Sequence, residues 1–312
     1  MKKNDFCVKC LFCALALEMS FSLCSCGNNS DSDEYVSETE ESADMTVSEP
    51  EKEPIYPYSA AVFSWDHLPD KEEIEFLLDS GITEVYQYIK PDYKKKQIYS
   101  FLVDMKRAGI DVYYLDGEPE WSKKEQLDTA KSVVDRVLEY NKKLNDGEGF
   151  RGIIYDVEPY TLKEWRDMRQ DLLFEYSEVV ASVCSYANEK NTDLKIGVCI
   201  PYYYDELGFE GLIKDVAKAS DKVIVLNYYK NKEIDHIETE LSICEENGAE
   251  IVSAYELQPT RLSFLDDTIT YYSNGYDALD KSYRDLLKAY PKSQVSVAFH
   301  TMEFFKELFE GR

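Results

Sequence analysis

Positive charge is scarce in this chain: 35 Lys and Arg stand against 61 Asp and Glu, a formal net charge of −26 over 312 residues. Such a surface repels a phosphate backbone, which excludes nucleic acid as a partner. Histidine is scarcer still. His67, His236 and His300 lie on separate segments without two-His spacing, so no metal site of the zinc type is expected. Cysteine is thin beyond the N-terminus: of eight, five fall in the first 26 residues and only Cys184, Cys199 and Cys244 follow. That odd remainder fits buried, reduced thiols rather than a disulfide framework. No Gly-rich loop follows the first apolar run, where Phe63-Ser64-Trp65-Asp66 stands, and no Gly-x-Ser-x-Gly elbow occurs. Dinucleotide binding and serine-hydrolase chemistry therefore lack their signatures, and no cofactor is expected.

What is present begins with an export signal. Lys2 and Lys3 precede an apolar stretch from Leu11 to Leu17, too short to span a bilayer, and small and polar residues follow. Leu23-Cys24-Ser25-Cys26-Gly27 resembles a bacterial lipobox. The resemblance implies a signal peptide over residues 1–25, lipidation at Cys26 and a mature protein anchored to the outer face of the bacterial cytoplasmic membrane. Cys24 is a second candidate, and an ordinary cleaved signal is the alternative. Residues 27–57 set ten acidic residues against Lys52 alone, interleaved with Ser and Pro. With Cys26 at its head, this reads as a disordered acidic tether over 26–57, able to reach up to about 100 Å when extended. Since the first 26 residues hold three lysines against two acids, the remaining 255 residues keep −18.

Over 58–312, short apolar, β-branched or aromatic runs alternate with amphipathic stretches. Eight runs stand out: 60–64, 84–89, 111–115, 152–157, 195–200, 222–228, 250–255 and 294–299. Helical patterns fill 70–78, 94–107, 123–144, 162–189, 207–219, 234–246 and 279–289. Gly81, Gly109 and Gly248 stand where a C-capping glycine would precede the next strand. Eight alternations in about 250 residues predict a single α/β domain, a (β/α)8 TIM barrel, with an eight-stranded open sheet as the alternative.

A barrel keeps its active site at the C-terminal ends of the strands, and here those ends are acidic and aromatic. In chain order they carry Trp65, Tyr88, Asp116 and Glu118, then Asp156 and Glu158, Tyr202, Asn227 and Tyr228, Glu256, and His300 with Glu303 one turn on. Carboxylates ringed by aromatic faces suit a neutral, hydroxyl-rich ligand whose apolar faces stack on rings, so a glycan is the expected partner and these residues its expected site. Asp156 and Glu158 are two apart on an apolar run, which points both to one face. Such a pair tends to raise one pKa towards what a general acid needs. An alternative use of Asp116, Glu118, Asp156 and Glu158 is oxygen ligation of Ca²⁺ or Mg²⁺.

Phe150-Arg151-Gly152-Ile153-Ile154-Tyr155-Asp156-Val157-Glu158 resembles the strand-four signature of chitinase-type, family 18 glycoside hydrolases, Phe-Asp-Gly-x-Asp-x-Asp-x-Glu. The resemblance implies Glu158 as general acid and Asp156 as the group orienting an N-acetyl nucleophile of the substrate. Val225-Leu226-Asn227-Tyr228 is similar to that family's Met-x-Tyr-Asp, placing its tyrosine at Tyr228. Arg151 and Ile154 stand at the two earlier aspartates of the signature, and Tyr229 replaces the Asp after the tyrosine. Most of the 255-residue body is more similar to secreted, uncharacterised glycosidase-like bacterial barrels, on Gly152 to Pro159 followed by Trp165, Glu256, and His300 with Glu303.

Two further readings stay open. Glu158-Pro159 also resembles the Asn-Glu-Pro of retaining glycosidases, which would make Glu158 the acid/base and Glu256 the nucleophile. The missing aspartates equally allow a monomeric carbohydrate-binding barrel without catalysis.

Overall fold

The computed structural model describes residues 57–262 and 265–312. The predicted signal, Cys26 and nearly all of the tether lie outside these residues. What is described is a closed barrel of eight parallel strands in chain order. The strands are β1 (Ala60–Ser64), β2 (Glu84–Tyr88), β3 (Asp111–Asp116), β4 (Gly152–Tyr155), β5 (Lys195–Pro201), β6 (Lys222–Leu226), β7 (Glu250–Glu256) and β8 (Val295–His300). Between and after them run helices α1 (Lys71–Asp79), α2 (Lys95–Arg107), α3 (Leu127–Asn141), α4 (Trp165–Lys190), α5 (Glu210–Ala219), α6 (Glu238–Asn247), α7 (Tyr276–Ala289) and α8 (Met302–Glu310). The expected (β/α)8 barrel is therefore what the chain forms. Among the described residues no helix is long and apolar enough to cross a membrane.

Closure excludes the open sheet: β8 pairs with β1, Phe63 opposite His300, and with β7, Glu256 opposite His300. Each strand divides its residues by the period of two. Ala61, Phe63, Tyr86, Tyr113, Leu115, Ile154, Cys199, Ile224, Val252, Ala254 and Ala298 fill the interior, while their neighbours pack outward against the helices. Large rings opposite alanines fill the bore as a solid core. The helix ends follow local rules. Asp70 caps α1 by accepting from the Glu73 amide at 3.0 Å, while Glu73 reaches back to the Asp70 amide. Gly81, Gly109 and Gly248 take φ values of +77°, +77° and +78° just past α1, α2 and α6, the left-handed turn that spares them a Cβ clash.

The floor of the barrel is closed by charge. Lys222 enters from β6 with its ammonium 2.5 Å from Glu84 Oε2 on β2 and 3.3 Å from Glu250 Oε2 on β7. It also lies 4.8 Å from the centre of the Tyr113 ring, a cation–π contact out of water. Burial raises the Glu84 pKa and the Lys222 charge pulls it back. Ser59 and Ser296 complete the hydrogen bonding around Glu250. All of this lies at the N-terminal ends of the strands, opposite the mouth.

Candidate functional site

The mouth is assembled by register. Because Glu256 and His300 stand opposite each other on β7 and β8, the carboxylate meets the imidazole: His300 Nδ1 lies 2.9 Å from Glu256 Oε2. Trp65, one residue past β1, donates its indole N–H to His300 Nε2 at 3.1 Å. An indole N–H can only donate, so Nε2 presents its lone pair and the imidazole proton sits on Nδ1, facing Glu256. Glu256 Oε1 accepts from the Gln258 amide at 2.6 Å. Both carboxylate oxygens are therefore engaged, and the side chain is almost wholly buried. Gln258, which no sequence motif marked, also brings its side-chain nitrogen within 3.2 Å of His300 Nδ1.

Aromatic rings surround this pair. The His300 ring lies edge-on to Phe63 at 5.4 Å and tilted over Tyr228 at 6.2 Å, while Trp65 meets Tyr88 at 5.7 Å. Tyr88 and Tyr228 are the half-exposed rings packed on the interior cluster at the C-terminal ends of β2 and β6. The loop carrying Trp65 is held from β2, where Gln87 Nε2 lies 2.9–3.2 Å from the carbonyls of Ser64, His67 and Tyr88.

From β4 come the acids. Ile154 faces the interior whereas Tyr155 and Val157 face the helices, so Asp156 continues the inward side. β4 stops at Tyr155, two residues short of the expected end, although the Asp156 amide still bonds Asp116 O at 3.0 Å. The ladder ends because Pro159 opens a tight helical turn over Pro159–Thr161, with Glu158 at its start. The Glu158 carboxylate accepts the Tyr160 hydroxyl. Asp156 and Glu158 are both half-buried, and both act on His300. Burial disfavours its charged form, but Glu256, then Asp156 and Glu158, outweigh that and leave its pKa raised.

Asp116, Asn227 and Tyr202 turn away from the bore, while Glu118 and Glu303 lie on the segments that follow β3 and β8. Asp116 falls on the outward alternation of β3, with its Oδ2 3.3 Å from Arg136 Nη1. Asn227 also points outward, buried and donating to Glu233 O at 2.9 Å. Tyr202 stacks on His236 with ring centres 4.2 Å apart, outside the bore. Glu118 starts the helical turn Pro119–Ser122 and is half-buried. Glu303 sits exposed on the first turn of α8, where partial burial and then Asp66 raise its pKa. The structure thus gathers Trp65, Tyr88, Asp156, Glu158, Tyr228, Glu256 and His300. The period of two, applied to every strand end, separates these from Asp116 and Asn227. Among the described residues no group of three or more His, Cys, Asp or Glu is arranged to hold a metal ion.

No protein-family model matches the chain, nor does any curated protein. Solved structures do match. A family 10 endoxylanase retrieved from a sugarcane soil metagenome shares 15% identity over 78% of this chain and 84% of its own, with a TM-score of 0.50. Catalytic domain 2 of the group II chitinase of Ostrinia furnacalis shares 12% over 64% of each chain, with a TM-score of 0.42. The citrate synthase SbnG shares 11% over 82% of this chain and 91% of its own, with a TM-score of 0.43. At these identities the barrel fold is what is shared.

Proposed function

We propose that the chain is a glycoside hydrolase-like barrel, with Glu158 as general acid and Asp156 as its partner. The observation that carries the reading is the arrangement at the mouth: two carboxylates just past β4 beside a buried His300–Glu256 pair, with the half-exposed rings of Tyr88 and Tyr228 and the buried indole of Trp65 around them. Such a site binds the apolar face of a sugar by stacking and supplies a proton to a leaving oxygen. Glu158 suits the acid because it is half-buried, opens a turn at the rim and accepts the Tyr160 hydroxyl. Asp156, set deeper by the strand period, suits an orienting role on a substrate N-acetyl group or a cationic sugar centre. Glu256 suits the support of His300 better than nucleophilic attack, since both of its oxygens already accept hydrogen bonds.

The positions where a chitinase-type signature has its earlier aspartates are spent differently. Arg151 is exposed at the N-terminal end of β4, and Ile154 fills the barrel core. That observation favours, as a second reading, a barrel that binds a glycan without cleaving it. A product screen against N-acetylhexosamine glycans and plain hexose glycans separates the two. Release from the former alone supports N-acetyl assistance, whereas binding without product supports the second reading. Glu158→Gln is expected to lower turnover by about 10²–10⁴-fold with the fold intact by circular dichroism; unchanged turnover would reject its role. Export and lipid anchoring at Cys26 belong to the same proposal. Metabolic labelling with a palmitate analogue is expected to mark the wild type and not Cys26→Ala.

A further inference from the structure

We infer that His300 is a positioning residue for Trp65: its neutral ring accepts the indole N–H and fixes the ring in the wall of the mouth, and its protonation breaks that bond, so the set of this aromatic wall depends on pH. The inference rests on the reading of the mouth as a glycan site, in whose wall Trp65 is only 5% exposed. Its physical core is independent of that reading. Trp65 Nε1 lies 3.1 Å from His300 Nε2, and the indole has a hydrogen to give and nothing to accept with. A neutral His300 with its proton on Nδ1 can receive it. Once Nε2 is protonated, two N–H groups face each other and the bond is lost. The indole then keeps its packing in the interior cluster, with Tyr88 at 5.7 Å and His300 itself at 6.4 Å, but no polar partner at Nε2 that fixes its angle.

The groups around His300 decide where this happens. From β7 Glu256 accepts at 2.9 Å, and the Gln258 amide beyond it lies 3.2 Å from Nδ1. From β4 Asp156 and Glu158 add negative charge, while Phe63 on β1 and Tyr228 beyond β6 contribute uncharged rings. Burial holds the ring neutral and the three carboxylates favour the cation; the carboxylates prevail, raising the pKa. The indole N–H works against them because it bonds only the neutral ring. Release is therefore expected as pH falls through a midpoint above the ordinary histidine value of about 6.5.

Tryptophan fluorescence of the whole chain, titrated without glycan, tests this. Only Trp65, Trp121 and Trp165 emit. The expected result is a sigmoidal change with a midpoint above about 6.5, absent in Trp65→Phe and absent in His300→Gln, whose amide oxygen still accepts the indole N–H but does not titrate. Glu256→Gln is expected to lower the midpoint by about one pH unit or more, because an opposite charge at hydrogen-bond distance is lost. A flat wild-type profile, or a titration that survives in Trp65→Phe or His300→Gln, overturns the inference. Should His300→Gln fail to fold, proton resonances of the three histidines give a second measurement. The His300 midpoint is expected to rise in Trp65→Phe, and an unchanged midpoint overturns the gate. Because no glycan is present, a flat profile leaves the glycosidase reading standing. Absence of turnover with a normal titration does the reverse.

Discussion

Glu240 on α6 is fully buried and neither of its carboxylate oxygens has a hydrogen-bond partner. Burial, then Asp205 and Glu206, push its pKa up to about 8. The folded protein thus holds this proton more tightly than the unfolded chain, where a glutamate titrates near about 4.3. Its stabilising effect is complete below that value and is lost as pH rises through about 8. Glu240→Gln keeps the neutral shape, so the variant's urea midpoint is expected to decline less than that of the wild type between pH 5 and 8.5. Equal declines would show that another group carries the dependence. This residue has no motif around it. Its helix was legible from the apolar spacing of 234–246, but its burial follows from the packing of α6 against α5 and the barrel.

At the scale of elements, the junction of β3 and β4 is the tightest part of the site. A Cβ on Gly117 would fall 2.0 Å from the Asp156 carbonyl oxygen, inside any real contact, so the two chain segments approach closely only because that position is glycine. Gly117→Ala is expected to push Asp156 away from β3, costing about 1–3 kcal/mol of stability and, under the proposed function, lowering glycan binding or turnover. A variant with wild-type unfolding and kinetics would show that the segments separate freely. The strand ends were legible here as Asp116-Gly117-Glu118 and Asp156-Val157-Glu158. Which acids look into the bore was decided by the period of two counted from Leu115 and Ile154, both interior: it carries Asp116 outward and Asp156 inward. β3 runs one residue further than expected and β4 two fewer. Helix α8 joins the seven expected helices, and its apolar face of Met302, Phe304, Phe305 and Leu308 covers β8 and β1.

At the scale of the whole barrel, closure sets an ion-paired floor at one end of the strands and the acidic, aromatic mouth at the other. Lys222 joins β2, β6 and β7 through Glu84 and Glu250. Lys222→Met is expected to cost about 3–5 kcal/mol, because it leaves two carboxylates buried beside each other without a counter-ion. A denaturant midpoint unchanged from wild type would place those carboxylates in water instead. Glu84→Gln in the same chain is expected to recover part of the loss, and neither change touches the mouth. The sequence by itself determined the eight βα repeats, the capping glycines and the acidic, aromatic character of the strand ends, since all are local consequences of hydrophobic period and backbone sterics. The tertiary structure alone decided that β8 closes on β1, that Trp65, Glu256 and His300 meet, and that Gln258 joins them. Those contacts join residues up to 235 positions apart, and only the register of strands around a closed sheet brings such distant side chains to one point.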